Sequence, residues 1–533
     1  MRVFKTIPAG RLALALAVGL MLLCTMAVSP VLAKDTLTLA IQGEPEDGYD
    51  PTLGWGRYGS PLFQSTLLRR DENLNIVKDL ATRYALSQDG LTWTVTIRED
   101  ARFSDGTPLT AEDVAYTFNT AAKVGGKVDL MKMDRAEATG KYEIEFRLTS
   151  RDSTFVNRFI SLGIVPKAAH GQDYARKPVG SGPYMMVEWN EGQQMIAQAN
   201  PHYYGDKPFF KRLVFLFTDE DTSFAAARAG KVDVVVVPQA LAVQTIPGMK
   251  LHPVRSVDNR GLMFPTVPDK GEKTADGLPI GNNVTTDPAI RKAINVAIDR
   301  KLLVAGVLEG FGRPAYGPCD GLPWDNPANV IADADTESAR KILADGGWKD
   351  SDGDGIVEKD GLKAEFTIIY PATRSIRQYL ALACADMLKN IGINALVEGK
   401  RSWDEIRQLK HSRVVVFGWG SHDPIEVYHL YSSHQAGEGY NNAGFYTNPK
   451  VDEYLDAALA ADSYEASLEF WKKAQWDGKT GFNARGDAPW AWLVNLDHTY
   501  FIDEHLDVGV SQVEPHGHGW PITANIQKWT WKD

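Results

Sequence analysis

Near its end the chain reads Glu514-Pro515-His516-Gly517-His518-Gly519-Trp520, and this pair of imidazoles is the best-suited cation-binding pattern in the sequence. Pro515 and the glycines forbid a helix, and in an extended loop residues two apart point the same way, so His516 and His518 can face one ion together. Imidazole suits nickel, copper and zinc. The alternative is a glycine-rich surface loop whose histidines bond to backbone. Arg374 and Arg377 follow the apolar run Phe366 to Tyr370, and strand ends feed clefts in α/β folds, so either guanidinium can grip a carboxylate with its planar fork. Trp55, Tyr58 and Trp419 offer flat apolar walls for a ring or chelate, or are ordinary core. His422, in Gly418-Trp419-Gly420-Ser421-His422-Asp423-Pro424, is a further candidate contact. His429 and His434 are five residues apart, which on a helix separates the rings by about 140° and makes a poor chelate.

Other motifs fail on inspection. Asp350, Asp352, Asp354 and Gly355 open like a calcium loop, but position twelve is Gly361, where a bidentate Glu is required. Gly478-Lys479-Thr480 lacks the leading glycine of a phosphate loop, since residue 473 is Lys. There is no G-x-S-x-G elbow and no H-E-x-x-H helix, so the chain is read as a non-enzyme without a catalytic cofactor. A secreted hydrolase, the alternative of another class, would need a nucleophile beside a base.

The elements that must position these groups are legible from periodicity. Leu37, Leu39 and Ile41, then Trp93, Val95 and Ile97, then Tyr142 to Leu148 alternate as half-exposed strands. Leu213 to Phe217, Val234 to Val237, Phe366 to Tyr370 and Val414 to Phe417 are continuously apolar, as strands covered by helices on both faces should be. Ala289 to Leu308, Ala339 to Leu343, Ile376 to Ile391 and Val451 to Ala461 supply helical covers, and Thr110 with Asp113 reads as a capping box. The class is therefore α/β with added antiparallel strands. The Gly/Asp/Lys/Thr-rich stretch from Pro268 to Asp287 divides the chain into two similar halves.

Arg2, Lys5 and Arg11 precede an apolar run from about Leu12 to Val28 and a Val31-Leu32-Ala33 cleavage pattern, the form of a secretory signal peptide over 1–33. Losing those three cations takes the formal net charge from −11 to −14, an acidic balance that argues against nucleic acid. Cys24 lies in the apolar run, after a Leu that does not suit lipoprotein processing. Cys319 and Cys384 then remain as one bridge or two buried thiols.

FSDGTPLTAEDVAYTF over 103–118, with LATRYALSQDGLTWTVTIRED before it, resembles the central signature of the family 5 extracellular solute-binding proteins. Gly180-Ser181-Gly182-Pro183-Tyr184, Asn200-Pro201-His202-Tyr203-Tyr204-Gly205, Ala229 to Asp233, Asp287 to Arg300 and Gly347-Trp348 with Asp350 to Gly361 follow in the family's order. The resemblance implies a two-lobed periplasmic binding protein of the large type II form, closing by a hinge around a solute and docking on an inner-membrane ABC permease. It implies lobe I over 34–275 with an extra subdomain near 75–180, lobe II over 276–497, and a return to lobe I over 498–533. It also implies a monomer in the periplasm.

The tail PHGHGWPITANIQKWTW, with Gly444-Phe445-Tyr446 and Asp497-His498-Thr499-Tyr500, is similar to the nickel-binding branch, in which a C-terminal loop histidine ligates nickel held by a small chelator such as L-histidine. By that resemblance the ligand is Ni(II) as a chelate, with His516 or His518 as protein ligand. Dipeptide binders carry an extra Asp before the Asp-Pro to hold an ammonium group, and here that acid is missing. The chain departs from the best-known nickel binder, which uses no tail H-x-H and bears an arginine where this chain reads Ser161 to Pro166. A dipeptide or oligopeptide carrier is the alternative within the family.

Overall fold

The apolar runs become strands of one sheet that spans two lobes. The computed structural model describes residues 34–532 except 42, 60, 126, 518 and 519, so the expected signal peptide at 1–33 and His518 lie outside the described residues. Eleven strands make the sheet. In spatial order they are Asn394–Lys400, Glu365–Pro371, Val414–Phe417, Met249–Met263, Trp490–Asp503, Val234–Val237, Thr36–Ala40, Arg212–Leu216, Gln194–Ala199 and Tyr184–Asn190, with Gly312–Pro314 paired onto Trp490–Asp503.

Strand alternation explains why continuously apolar runs are needed. Val414 and Val416 enter one core with Ile368, Leu380 and Trp348, while Val415 and Phe417 enter another with Trp471, Tyr431 and Trp490. In the first lobe, Leu37, Leu39 and Val234 face one core, and Ala40, Val235 and Val237 face a second under helix Glu220–Arg228.

The long strands Met249–Met263 and Trp490–Asp503 run antiparallel and belong to both lobes. Met249 to Arg255 pairs with 497–503 in lobe I, and after register shifts between Arg255 and Asn259 and between Arg260 and Gly261 the same strand pairs with 490–495 and Val414–Phe417 in lobe II. The first strand therefore crosses between lobes near 255–259, ahead of the expected division at 275/276. Pro268 to Asp287 lies wholly on the lobe II side, where Gly281 N–H donates to His411 O at 2.9 Å and Val284 is buried in the lobe II core. Its composition marks a surface loop; the crossing is strand interior, which composition does not distinguish.

An antiparallel sheet of Ala81–Leu86, Thr92–Ile97, Glu143–Leu148 and Met133–Ala138, with helix Ala111–Val124, builds a separate core around Phe118, Phe146 and Phe159. Thr110 and Asp113 form the capping box, Thr110 N–H donating to Asp113 Oδ2 at 2.9 Å. The helix expected over 289–308 is two, Pro288–Ala297 and Arg300–Gly306, because Ile298 is extended and Asp299 caps the second by accepting from Leu302 N–H at 2.8 Å. The C-terminal segment packs Leu506, Trp520, Ile526 and Trp529 into the lobe I core, with Trp520 stacked on Phe215 at 4.2 Å. Cys319 and Cys384 are buried free thiols in different cores. Among the described residues no helix is long and apolar enough to cross a membrane.

Candidate functional site

The strand crossing carries a buried carboxylate. Asp258 sits within the register shift of Met249–Met263 and is 2% exposed. Arg260 pairs with it through both Nη atoms, His498 Nε2 lies 3.2 Å from its Oδ2, and His516 Nδ1 lies 2.5 Å from its Oδ1. Burial alone would push the Asp258 carboxyl up, but the Arg260 guanidinium and both imidazoles outweigh it and hold the group well below the usual range. His498, on the second crossing strand, is also 2.5 Å from Glu514 Oε2, which accepts from Tyr500 Oη–H at 2.8 Å. Although burial opposes its charge, hydrogen bonds to Asp258 and Glu514 push His498 up to about 9.

The tail is tied into this crossing. Glu514 N–H donates to Arg255 O and Glu514 O accepts from Val257 N–H, both at 2.9 Å, while His516 N–H donates to Gly420 O at 2.7 Å. Gly420 has φ +144°, and a Cβ there would meet Val257 O at 2.4 Å, so only glycine lets the lobe II loop pass this close. The histidine loop of lobe I and the Trp419 loop of lobe II therefore meet over Asp258.

His516 is held below the ordinary histidine range by burial, against the pull of Asp258. As a neutral ring giving Nδ1–H to Asp258, it carries its lone pair on Nε2, the arrangement of a metal-ligating histidine backed by a carboxylate. His518 lies outside the described residues. Tyr58 packs 6.3 Å from the His516 ring and has the Arg57 guanidinium 5.0 Å from its own. Trp419 N–H donates to the Asn259 side-chain Oδ1 at 3.0 Å, Trp419 O accepts from Asn259 N–H at 2.9 Å, and its buried indole N–H has no partner among the described residues.

Arg377 is 5% exposed, donates to Val416 O at 2.5 Å and stacks 5.2 Å from the Trp403 ring. Burial, reinforced by the neighbouring Arg260 cation, lowers its proton affinity, and its own charge acts on His516. His516, Tyr58, Trp419 and Arg377 are thus brought together.

The remaining candidates stand apart. Trp55 is 6% exposed, gives its indole N–H to Pro61 O at 2.7 Å, and braces Trp520 edge-on at 5.1 Å. Arg374 is exposed at the N-terminus of helix Ser375–Lys389. His422 lies against Arg70: its carbonyl accepts from Arg70 Nη2 at 2.7 Å, its buried Nε2 has no partner among the described residues, and burial with the Arg70 charge lowers it to about 3. His429 is on helix Ile425–Tyr431, 3.0 Å from Asp129, and His434 lies in a following turn.

Asp258, Arg260, His498 and Glu514 were missed as site residues. The available signal was weak: Asp258-Asn259-Arg260 is a run of three polar residues in Met249–Met263, a strand that also carries Lys250, His252, Arg255 and Ser256. Among the described residues, ligand atoms of three His, Cys, Asp or Glu side chains converge within 4.8 Å only at Asp350, Asp352 and Glu358, the two aspartates exposed and Glu358 half-buried. Among the described residues, which leave out His518, His516 belongs to no such group.

Residues 75–440 match the model of the bacterial extracellular solute-binding proteins, family 5 Middle. The chain belongs to that family. This solute-binding protein is 34% identical over 503 residues to Protein XP55 of Streptomyces lividans, covering 90% of this chain and 87% of that one. It is 27% identical over 536 residues to the oligopeptide-binding protein AppA of Bacillus subtilis strain 168, covering 91% and 92%. NikZ from Campylobacter jejuni, solved in complex with Ni(L-His), superposes with a TM-score of 0.80 at 25% identity, covering 93% of this chain and 99% of that one. The chain shares the two-lobed α/β architecture of the solved family member NikZ, and the binding protein works as the solute-capturing component of an ABC importer.

Proposed function

We propose that this protein captures Ni(II) in the periplasm as a chelate with L-histidine or a similar small metallophore and delivers it to an inner-membrane ABC permease. The observation that carries the reading is His516 held by Asp258 at 2.5 Å, with Arg260 and Arg377 beside it. A bare cation would be repelled by two guanidiniums, whereas a chelate whose carboxylates face them is attracted. Its metal then meets a neutral imidazole. In this reading His516 ligates the metal with or without His518, Arg377 receives a carboxylate while Arg374 stays outside the site, Tyr58 and Trp419 cover the rings, and Trp55 and His422 support the two loops from behind. The likeness to NikZ in complex with Ni(L-His) points the same way.

A peptide cargo is the second reading, favoured by the similarity to oligopeptide-binding AppA over 91% of the chain. Calorimetric titration of metal-stripped mature protein separates the two, using Ni(II) alone, Ni(II) with L-histidine, and a mixed dipeptide pool. Binding heat only with the nickel and histidine mixture, lost in His516→Ala or His518→Ala, is the expected result. Heat from dipeptides and none from nickel overturns the metal reading.

A further inference from the structure

Arg158 is an arginine of lobe I whose strongest partner belongs to lobe II. It opens helix Arg158–Ser161 in the small subdomain, and its side chain is 3% exposed. Within its own lobe the guanidinium donates to Asp129 O at 2.7 Å and lies 3.6 Å from Asp152. Its Nη1 then reaches across to Asp423 Oδ2 at 2.5 Å. Asp423 sits at the foot of the loop that carries Trp419 and Gly420, and its other oxygen accepts from Asn157 Nδ2 at 3.2 Å.

The same seam is closed elsewhere by independent contacts. Arg70 donates to His422 O at 2.7 Å, Ser153 N–H to Leu459 O at 2.9 Å and Ser153 Oγ–H to Ala458 O at 2.8 Å, and His429 pairs with Asp129 at 3.0 Å. Buried charge pairs of this kind resist separation because each partner must regain water or another counter-ion. None of these contacts involves a residue of the His516 cluster.

We infer that Arg158 is a positioning residue for the solute site, clamping the Ser421 to Pro424 loop from the opposite lobe so that the closed arrangement supports itself without solute. A solute shifts a two-state equilibrium only through differential affinity, so a pre-closed protein gives its solute little domain closure to drive. The inference stands whichever solute is carried.

Small-angle X-ray scattering of the full mature chain, stripped of solute by unfolding and refolding, tests it. Wild type should give the compact radius of gyration of the closed form, and Asp423→Asn should shift it upward. Asn can still accept from Ile425 N–H, as Asp423 Oδ1 does at 3.1 Å, so the helix start is retained. Arg158→Met should open the lobes in the same way. Hydrogen exchange at the Ser153 amide, which reports the seam and not subdomain folding, should accelerate about tenfold or more in Asp423→Asn. A solute-free wild type that is already open, or an Asp423→Asn protein as compact and as protected at Ser153 as wild type, overturns the inference.

Discussion

Raising the pH from about 6 to about 10 should weaken the fold through one proton, that on His498. In the unfolded chain this imidazole titrates at its ordinary 6.5, and in the folded protein, between Asp258 and Glu514, at about 9. A folded value above the unfolded one means that the charged ring favours the native state. The contribution is fully present below about 6.5, and it disappears as pH climbs through about 9 because the folded state must then release its proton too. The gap of about 2.5 pH units at about 1.4 kcal/mol per unit gives about 3 kcal/mol. Little discount for solvent is needed, since the ring is 10% exposed and its partners 4% and 1%. Urea denaturation of wild type and His498→Gln at constant ionic strength measures it. Their difference in unfolding free energy should shrink by about 3 kcal/mol across this window, with His498 ring resonances titrating near the upper end and those of His516 below the ordinary value. A difference that stays flat across the window, or a His498 ring that titrates at or below 6.5, would refute the reasoning.

Two further outcomes are expected. Gly420→Ala should cut solute affinity about tenfold or more, because its Cβ would sit 2.4 Å from Val257 O and force the Trp419 loop off His516; calorimetry with Ni(II) and L-histidine would read the loss. Phe118→Ala should cost about 3–5 kcal/mol by opening a cavity against Phe146 and Phe159 at 4.7 and 6.0 Å, and hydrogen exchange should show the loss concentrated in the 67–164 subdomain.

The strands were legible wherever burial is set by local pattern: Val234–Val237 and Val414–Phe417 match their apolar runs because both faces are covered. Helix Ser375–Lys389 was equally clear. Helix breaks were not, since Ile298 fits a helical period until Asp299 caps a new start. The lobe crossing was hidden because strand interior and strand end have the same composition. Of the candidate site, His516, Tyr58, Trp419 and Arg377 were singled out by residue type, and the fold places them near one another. Asp258 and Arg158 were not, because their meaning comes from partners 258 and 265 residues away, distances over which sequence carries no period.

The threading of the second crossing strand also fixes an order of assembly. The subdomain core draws on one contiguous run, Leu67 to Ile164, and can form as soon as that run is available. Lobe I cannot follow it directly. Its strand Val234–Val237 waits for residues 499–502, and Leu37 and Phe215 wait for Trp520 and Trp529 to cover them. Nearly the whole polypeptide must be present before the first strand of the molecule is enclosed. Contacts so remote in sequence close slowly. A protein truncated in its last thirty or so residues would therefore lose the lobe that holds its beginning, with the small subdomain left as a folded remnant.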